Sequence, residues 1–431
     1  MKYSIVTFGC RVNQADALSI EESLRLHGGV PAATDAAEIV IVNTCSVTAS
    51  ADQGARQTIR RVARDNPAAR IVVTGCYATR NPRELEGLPN VLRVVANDDK
   101  DRLLQVSGIL PNTAERFGNG EGACGASIEP GIAGRTAFTL RVQTGCEEQC
   151  SYCIIPTTRG RGRSVPLPQV LRDVERVARA GFKEIALTGV HLGSYGRDLP
   201  SPSSLLDLLR AIERSAVDVT FRISSLEPMD CTPDIVQLVA ESEGRFAPHF
   251  HLPLQHASDR ILSLMRRPYS LSYYRDLADS IADRLPHASI GSDLIAGFPG
   301  ETDDDFEANL AYLPTSPLSH LHVFPYSDRP GTAASALNAK VPGKLIRERS
   351  MRLRDIGSAL NARFRRAHVG SVRPGLTLDD GTLVVTDNFL KVRIPAGFER
   401  NRRVFVRLLD DSTAVVEEPS RDQLSSISCA S

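Results

Sequence analysis

The chain has 431 residues, of which 42% are hydrophobic and 24% are charged, and its formal net charge is zero. This length predicts two or three domains rather than one core. The balanced charge excludes a strong overall attraction to nucleic acid, and no apolar run approaches the roughly 20 residues that span a bilayer. The N-terminus also lacks a signal-peptide pattern, so we expect a cytoplasmic protein with no membrane partner.

The first hundred residues repeat one pattern three times. The runs YSIVTFGC, EIVIVNTC and RIVVTGC are apolar and β-branched, and helical patterns lie between them. Continuous apolar strands alternating with helices indicate a parallel sheet covered on both faces. The runs end in Cys10, Cys45 and Cys76. Ligands collect at the carboxyl ends of parallel strands, so we expect these three cysteines to converge into a ligand cluster.

Residues 109–135 are rich in Gly, Ala, Pro and polar residues and indicate a linker. A second alternation of strands and helices follows, and it predicts a partial or full (β/α) barrel with its chemistry at the carboxyl ends of the strands. The six strand-like runs are 138–144, 183–189, 219–225, 249–255, 289–298 and 320–326.

The C-terminal part changes character twice. Residues 341–370 have the pattern of a long Arg-rich helix, and the remaining sixty or so residues alternate apolar and polar over short runs. Such runs with turn residues between them are typical of a small antiparallel barrel or sandwich. The predicted domains are therefore 1–108, a linker at 109–135, 136–368 with the Arg-rich helix, and 369–431.

Nine cysteines in a chain without an export signal favour metal or redox chemistry over disulfides. In TGCEEQCSYC, Cys146, Cys150 and Cys153 directly follow the first barrel strand. Structural zinc sites usually close with four ligands in two separated pairs, and no second pair follows here. An iron–sulfur cluster that is held by only three thiolates leaves one iron open. Cys124, Cys231 and Cys429 belong to neither set.

The Cys-x3-Cys-x2-Cys spacing resembles the radical S-adenosylmethionine superfamily. That resemblance implies a [4Fe–4S] cluster on Cys146, Cys150 and Cys153, whose open iron binds S-adenosylmethionine and cleaves it to release a radical. No side-chain acid or base is expected to catalyse the reaction, because an aromatic C–H bond has no acidic proton to remove and the cofactor carries the chemistry.

From end to end, the chain resembles the methylthiotransferase family, with CSYCIIPTTRGRGRS, SSLEP, HLPLQHASDRIL and GFPGET as shared signatures. The resemblance implies an α/β chain with a flavodoxin-like N-terminal domain, a radical SAM partial barrel and a C-terminal antiparallel β-barrel, the TRAM domain. It also implies a second [4Fe–4S] cluster, on Cys10, Cys45 and Cys76. At the C-terminal barrel the chain departs from the family pattern, so Phe389 is expected either to stack on RNA or to be buried.

The segments FGCRVNQAD, LTGVHLGSYG and HVFPYSDRPGT are most similar to the threonylcarbamoyladenosine branch, the MtaB type. This similarity implies transfer of a methylthio group to carbon 2 of the modified adenosine at tRNA position 37. The implied partners are tRNA, an electron donor and a sulfur source. Alternatives are isopentenyladenosine tRNA or a ribosomal-protein aspartate as substrate, or a zinc-containing RNA-binding protein without catalysis.

Polar residues near barrel strand ends are further candidates for contacts to S-adenosylmethionine. They are Ser225 and Glu227 of SSLEP, Gln255 of HLPLQ and Asp293 of SDLIAGFPG. The GFPGET segment is either a cofactor loop or a turn in which Thr302 caps the next helix.

Two arginine groups flank the predicted ligand loops. Arg56 and Arg60 lie with Arg61 and Arg64 on one predicted helix after Cys45, and Arg159 and Arg163 follow Cys153 in TRGRGRS. Because arginine binds phosphate in a bidentate manner, we expect these groups to contact tRNA.

Overall fold

The computed structural model describes residues 1–110, 129–130 and 136–417. The chain divides into two compact units. We call them the N-terminal unit (Met1–Ile128, Thr144–Arg163 and Ser327–Ser335) and the barrel unit (Glu129–Gln143, Ser164–Tyr326 and Ala336–Ser431). Most of the predicted linker lies outside the described residues, as do Cys124 and Cys429. Among the described helices, none combines the length and apolarity needed to cross a bilayer.

The N-terminal unit is built on a five-stranded parallel sheet in the order β2-β1-β3-β4-β5, which is the flavodoxin-like order. The prediction of a parallel sheet is therefore confirmed. The strands are β1 (Lys2–Thr7), β2 (Val30–Pro31), β3 (Ile39–Thr44), β4 (Arg70–Gly75) and β5 (Val91–Val95).

Helices cover both faces of this sheet, which explains why its central strands are apolar throughout. Val40 and Val42 of β3 pack with the helix after Cys45, whereas Ile39 and Ile41 pack on the opposite face with the helix after Cys10. The helices are α1 (Arg11–Leu26), α2 (Ala49–Asp65), α3 (Cys76–Arg80), α4 (Pro82–Glu86), α5 (Leu103–Val106) and, farther along the chain, α6 (Ile155–Arg159).

The barrel unit contains all six predicted barrel strands, with shorter bounds than expected. Each neighbouring pair within the two three-stranded sheets is parallel. A bridge between Phe221 and Phe246 joins the third strand to the segment that leads into the fourth. The strands are β6 (Phe138–Arg141), β9 (Glu184–Thr188), β10 (Thr220–Ile223), β11 (His249–His251), β12 (Ser289–Ala296) and β13 (His320–Pro325). Two short strands, β7 (Gln143–Thr144) and β8 (Arg163–Ser164), lie between β6 and β9 in the chain.

Helices alternate with these strands, and GFPGET begins one of them. The Thr302 side chain accepts a hydrogen bond from the Asp305 backbone, and the Asp305 carboxylate accepts one from the Thr302 backbone. This reciprocal cap confirms the helix-capping reading of GFPGET. The helices are α7 (Leu167–Arg179), α8 (Leu205–Glu213), α9 (Pro233–Glu241), α10 (Asp259–Leu264), α11 (Leu271–Arg284) and α12 (Asp303–Tyr312).

The long helix α13 (Gly343–Ala367) leads into a five-stranded antiparallel sheet in the order β16-β15-β14-β17-β18. A bridge between Arg393 and Thr413 brings the two ends of this sheet together, and Val384, Val392 and Val406 lie in its core. The predicted small antiparallel barrel is confirmed. Its strands are β14 (Val372–Leu378), β15 (Leu383–Thr386), β16 (Lys391–Arg393), β17 (Arg403–Leu408) and β18 (Ala414–Glu417).

Among the side chains that attach this C-terminal sheet to the rest of the barrel unit, three donate to a backbone carbonyl at under 3 Å. Arg222 of β10 donates to the Asp387 carbonyl at 2.9 Å. Asn388 donates to the carbonyl of residue 287 at 2.9 Å, and Asn401 to that of residue 181 at 2.8 Å. The ring of Phe389 lies 4.5 Å from the His249 ring and 5.0 Å from the Arg222 guanidinium, so it contributes to this packing.

Candidate functional sites

The first cysteine set lies at the carboxyl edge of the parallel sheet. Cys10 is the N-cap of α1, Cys45 directly follows β3, and Cys76 is the first residue of α3. Burial, together with the nearby thiols of Cys10 and Cys76, raises the pKa of the Cys45 thiol to about 12. The structure therefore brings together the three side chains that the strand-end pattern predicted.

Glycine is required beside this set. Gly9 has a φ of +90°, and a Cβ at this position would lie 2.6 Å from the Cys45 Sγ. A side chain would both strain the backbone and occupy the space in front of the thiol. The glycine therefore leaves the space beside this buried thiol unfilled.

The second set lies in the loop between β7 and α6. The Cys146 backbone N–H donates to the Gly160 carbonyl at 3.0 Å, which closes this loop. The backbone N–H groups of Glu148 and Ile155 lie 3.4 Å from the Sγ atoms of Cys146 and Cys153, respectively. Hydrogen bonds of this kind to thiolate sulfur tune iron–sulfur clusters.

The spacing of the sulfurs separates two kinds of metal site. A single zinc ion with Zn–S bonds of about 2.3 Å holds tetrahedral sulfurs about 3.8 Å apart. In the described part of the chain, neither cysteine set has all three sulfurs within 4.8 Å of one another. A cluster binds each thiolate through a different iron and therefore needs wider spacing. The sulfurs of neither set are therefore grouped as a single zinc ion would need.

A buried ionic network joins α6 to the first cysteine set. The Arg159 guanidinium lies 2.5 Å from the Asn13 amide oxygen and 3.0 Å from the Asp16 carboxylate, which Lys100 also contacts at 2.8 Å. Burial lowers the pKa of Arg159, but Asp16 and the thiols of Cys76 and Cys10 outweigh this and keep it above its usual value.

This network corrects one expectation about RNA binding. The Arg159 side chain is only 3% exposed, so its guanidinium faces Asp16 rather than solvent, where a phosphate could reach it. Asp16 and Lys100 were missed by sequence reasoning, because their partner lies 143 residues from Asp16 along the chain. A lone Asp within an apolar helix pattern was the only available signal.

A second buried network lies beside Cys45. The Asp52 carboxylate lies 2.5 Å from Arg80 and 2.8 Å from Arg329. The segment that carries Arg329 also contacts the second cysteine loop, because the Ala334 backbone N–H donates to the Ser151 carbonyl at 2.7 Å. Residues 327–335 therefore contact the loops of both cysteine sets. Sequence analysis singled out this segment as a family signature but gave Arg329 no role.

The other predicted RNA-contact arginines differ in exposure. Arg56 is held by the Tyr77 hydroxyl at 2.5 Å and by Glu84 at 3.1 Å. Arg60 is exposed on α2. Arg163 is half exposed and lies 3.2 Å from Asp98, an exposed pairing that contributes little. Arg60 and Arg163 therefore remain accessible to a ligand, as do Arg61 and Arg64 of α2.

The predicted cofactor contacts lie close together in the barrel unit. Ser225 is exposed just beyond β10, and the backbone N–H of the next residue donates to the His251 carbonyl at 2.9 Å. Glu227 pairs with the buried Arg267. The Gln255 backbone N–H donates to the Asp293 carbonyl at 2.8 Å.

Asp293 itself contacts two histidines. Its carboxylate lies 2.9 Å from His251 and 3.3 Å from His322. Burial raises the pKa of this carboxyl group, but the hydrogen bonds from both histidines outweigh that effect and hold the pKa below its usual range. Asp293 is therefore an anion in this structure.

Comparison with known proteins identifies the family. Residues 2–97 match the uncharacterized protein family UPF0004, and residues 140–313 match the radical SAM superfamily. The threonylcarbamoyladenosine tRNA methylthiotransferase MtaB of Aquifex aeolicus is 36% identical over 400 residues, which cover 91% of this chain and 96% of that protein. The chain belongs to the MtaB-type methylthiotransferase family. Membership of the radical SAM superfamily implies a [4Fe–4S] cluster and S-adenosylmethionine.

Other proteins are similar to this chain with different sequence identity and coverage. The MtaB protein of Bacillus subtilis is 31% identical over 94% of this chain and 96% of its own length. A tRNA-2-methylthio-N(6)-dimethylallyladenosine synthase of Fusobacterium nucleatum is also 31% identical, but over 82% of this chain and 83% of its own. The structure of the radical S-adenosylmethionine methyltransferase TsrM from Kitasatospora setae, with cobalamin and a [4Fe–4S] cluster bound, has a TM-score of 0.53 at 16% identity. It covers 78% of this chain and 77% of that chain, and it supports the fold alone.

Proposed function

We propose that this enzyme adds a methylthio group to carbon 2 of N6-threonylcarbamoyladenosine at position 37 of tRNA. The observation that carries the proposal is the 36% identity to an MtaB protein over 91% of the chain. The two cysteine sets at loops of the N-terminal unit support it. Because tRNA is the proposed substrate, we expect the enzyme to act in the cytoplasm with an electron donor and a sulfur source of unknown identity.

We assign one [4Fe–4S] cluster to each cysteine set: Cys10, Cys45 and Cys76 hold the first, and Cys146, Cys150 and Cys153 hold the second. Together with S-adenosylmethionine, the clusters supply the radical, the sulfur and the methyl group for replacing an unreactive C–H bond. The presence of three cysteine thiols in each set supports this assignment.

The protein's own residues prepare this site. Arg159 and Lys100 form a buried cationic pair, only partly balanced by Asp16, next to thiols that must be anionic to bind iron. The backbone N–H groups near Cys146 and Cys153 partly neutralise charge on sulfur. Both sets thus have positively polarised groups beside the sulfurs that would bind iron.

Further residues are proposed for binding. Ser225, Glu227, Gln255 and Asp293 remain candidates for orienting S-adenosylmethionine. We also propose that the exposed arginines Arg60 and Arg163 contact tRNA phosphates, together with Arg56, which lies on the same helix as Arg60. The domain boundaries 1–108, 109–135, 136–368 and 369–431 remain a proposal from the sequence, with RNA binding assigned to the last of these.

The substrate can be tested by mass spectrometry of tRNA nucleosides from cells that lack the gene. The 2-methylthio derivative of threonylcarbamoyladenosine should disappear and its precursor should accumulate. Complementation with the wild-type gene or with Cys231→Ala, which alters a buried cysteine outside both sets, should restore the product, whereas Cys45→Ala and Cys146→Ala should not. If deletion leaves this nucleoside unchanged, the substrate proposal is wrong, and the isopentenyl nucleoside and ribosomal proteins become the candidates.

The cofactor count has a separate test. Anaerobically purified protein should contain about eight iron and eight sulfide per chain, and replacement of all three cysteines of either set should reduce both to about four. One or two zinc ions per chain with no sulfide would instead support a zinc-containing RNA-binding protein.

A further inference from the structure

Three adjacent strands of the barrel unit bring two histidines and one carboxylate together. In the strand register, His251 of β11 lies opposite Gly291, and Asp293 of β12 lies opposite His322 of β13. The Asp293 Oδ1 atom lies 2.9 Å from the His251 Nε2 and 3.3 Å from the His322 Nδ1. Among the described residues, this is the one group of three metal-binding side chains whose ligand atoms all lie within 4.8 Å of one another.

These distances fit a shared metal ion. Two nitrogen or oxygen ligands, each about 2.1 Å from a metal, are separated by about 3.0 Å at a right angle and about 3.4 Å at the tetrahedral angle. The two measured edges, 2.9 and 3.3 Å, lie close to this range. The third edge, between the two imidazoles, must be no longer than about 4.2 Å when both bind. The two imidazole nitrogens lie within 4.8 Å of each other, so a movement of one ring by well under 1 Å brings them within this limit.

The surroundings provide space and access. A Cβ at Gly291 would lie 2.8 Å from the His251 Nδ1 and 2.1 Å from the His320 Nε2, so the imidazoles occupy the space that a side chain would take. The His322 side chain is 58% exposed, which lets it adjust and leaves one side of the trio open to solvent. A metal bound here would keep coordination positions for water or an anionic ligand.

We propose that His251, Asp293 and His322 form a binding site for a divalent transition metal, separate from the cysteine sets in its donor chemistry. Two imidazoles and one carboxylate suit zinc or iron(II), whereas thiolates hold the clusters. A bound metal would take the place of the contacts between the carboxylate and the two imidazoles, with each neutral imidazole carrying its proton on its other ring nitrogen. The site would also give Asp293 a role other than contacting S-adenosylmethionine. The competing explanation is an aspartate that only accepts hydrogen bonds from two histidines.

The test is zinc binding by the full chain, anaerobically loaded with its clusters and then freed of other metals with a chelator. We expect one zinc ion per chain in addition to the iron, measured by mass spectrometry, with the affinity obtained by competition against a chromophoric chelator. Asp293→Asn and His322→Gln should each weaken zinc binding by roughly tenfold or more. His27→Gln, which changes a histidine of the N-terminal unit, should bind as the wild type does.

X-ray absorption at the zinc edge adds a decisive measurement. We expect only nitrogen and oxygen neighbours at about 2.0–2.2 Å and no sulfur at about 2.3 Å. The proposal is overturned if the wild type binds no zinc, if sulfur neighbours appear, or if Asp293→Asn binds zinc as tightly as the wild type. Because the iron content and the nucleoside product are measured separately, these outcomes do not depend on the proposed function.

Discussion

Replacing Asp16 by asparagine should strongly destabilise the N-terminal unit. The Asp16 side chain is fully buried, and its two cationic partners, Lys100 and Arg159, are only 5% and 3% exposed. The substitution keeps the shape but removes the one negative charge bonded to both cations. Loss of one partner from a buried ion pair costs about 3–5 kcal/mol. Arg159 would be left as a buried charge even if Lys100, whose pKa burial already lowers, released its proton.

Asp99→Asn is the matched control. Asp99 also pairs with an arginine, Arg102, at 2.8 Å, but the side chains are 47% and 72% exposed. An exposed pair of this type contributes about 0.3–0.5 kcal/mol, so the two asparagine variants should differ by about 3 kcal/mol or more.

Hydrogen exchange is the appropriate assay, because unfolding of a chain with several domains need not be two-state. Protection of the buried amides of β3 should fall by about two orders of magnitude or more in Asp16→Asn and hardly at all in Asp99→Asn. Adding Lys100→Met to Asp16→Asn should restore part of the protection, because it removes one unpaired cation. If the two single variants differ by less than about 1 kcal/mol, the network is not the stabilising element described above.

Three further predictions concern the second cysteine loop, acid stability and RNA binding. Gly145→Ala should abolish iron binding by that loop, because its φ is +76° and its Cβ would lie 1.9 Å from a backbone oxygen. Gly343→Ala, whose Cβ would meet only the end of an arginine side chain at 3.7 Å, should keep the iron; equal iron in both would contradict the steric argument. Burial lowers the pKa of His256 from 6.5 to about 4. Between about pH 6.5 and 4 only the unfolded chain takes up this proton, so His256 should lower the stability of the barrel unit by roughly 1 kcal/mol per unit between pH 6 and 5. His256→Asn should reduce the pH dependence of stability, measured by hydrogen exchange, by that amount. Arg60→Ala should weaken tRNA binding and lower the salt-dependence slope by about one, and an unchanged slope would exclude Arg60 from the interface.

The sequence predicted the strands better than it predicted the interactions of individual side chains. Continuous apolar runs that ended in Cys10, Cys45 and Cys76 indicated parallel strands with their ends at one edge, because burial on both faces requires such runs. The two-residue strand β2 is too short to show any periodicity. In β5, at the edge of the sheet, Leu92 and Arg93 are exposed, so the strand lacks a continuous buried run.

The role of Arg159 could not be predicted, because a run of arginines is usually a solvated surface. Burial of its guanidinium depends on Asp16 and Asn13, more than 140 residues away in sequence. The grouping of two histidines and one aspartate in the barrel unit could not be predicted for a related reason. His251, Asp293 and His322 come from three strands, and only the strand register shows that they face one another.

The bonds that attach the C-terminal sheet have a consequence for sequence divergence. Arg222, Asn388 and Asn401 all donate to main-chain carbonyls, and a carbonyl is present whatever residue occupies the acceptor position. Substitutions at the acceptor positions therefore leave these bonds intact, provided that the backbone keeps its course. The three donors have no such freedom, because loss of any of them leaves a carbonyl without its partner. We therefore expect related chains to retain the three donor residues while the residues at the acceptor positions vary.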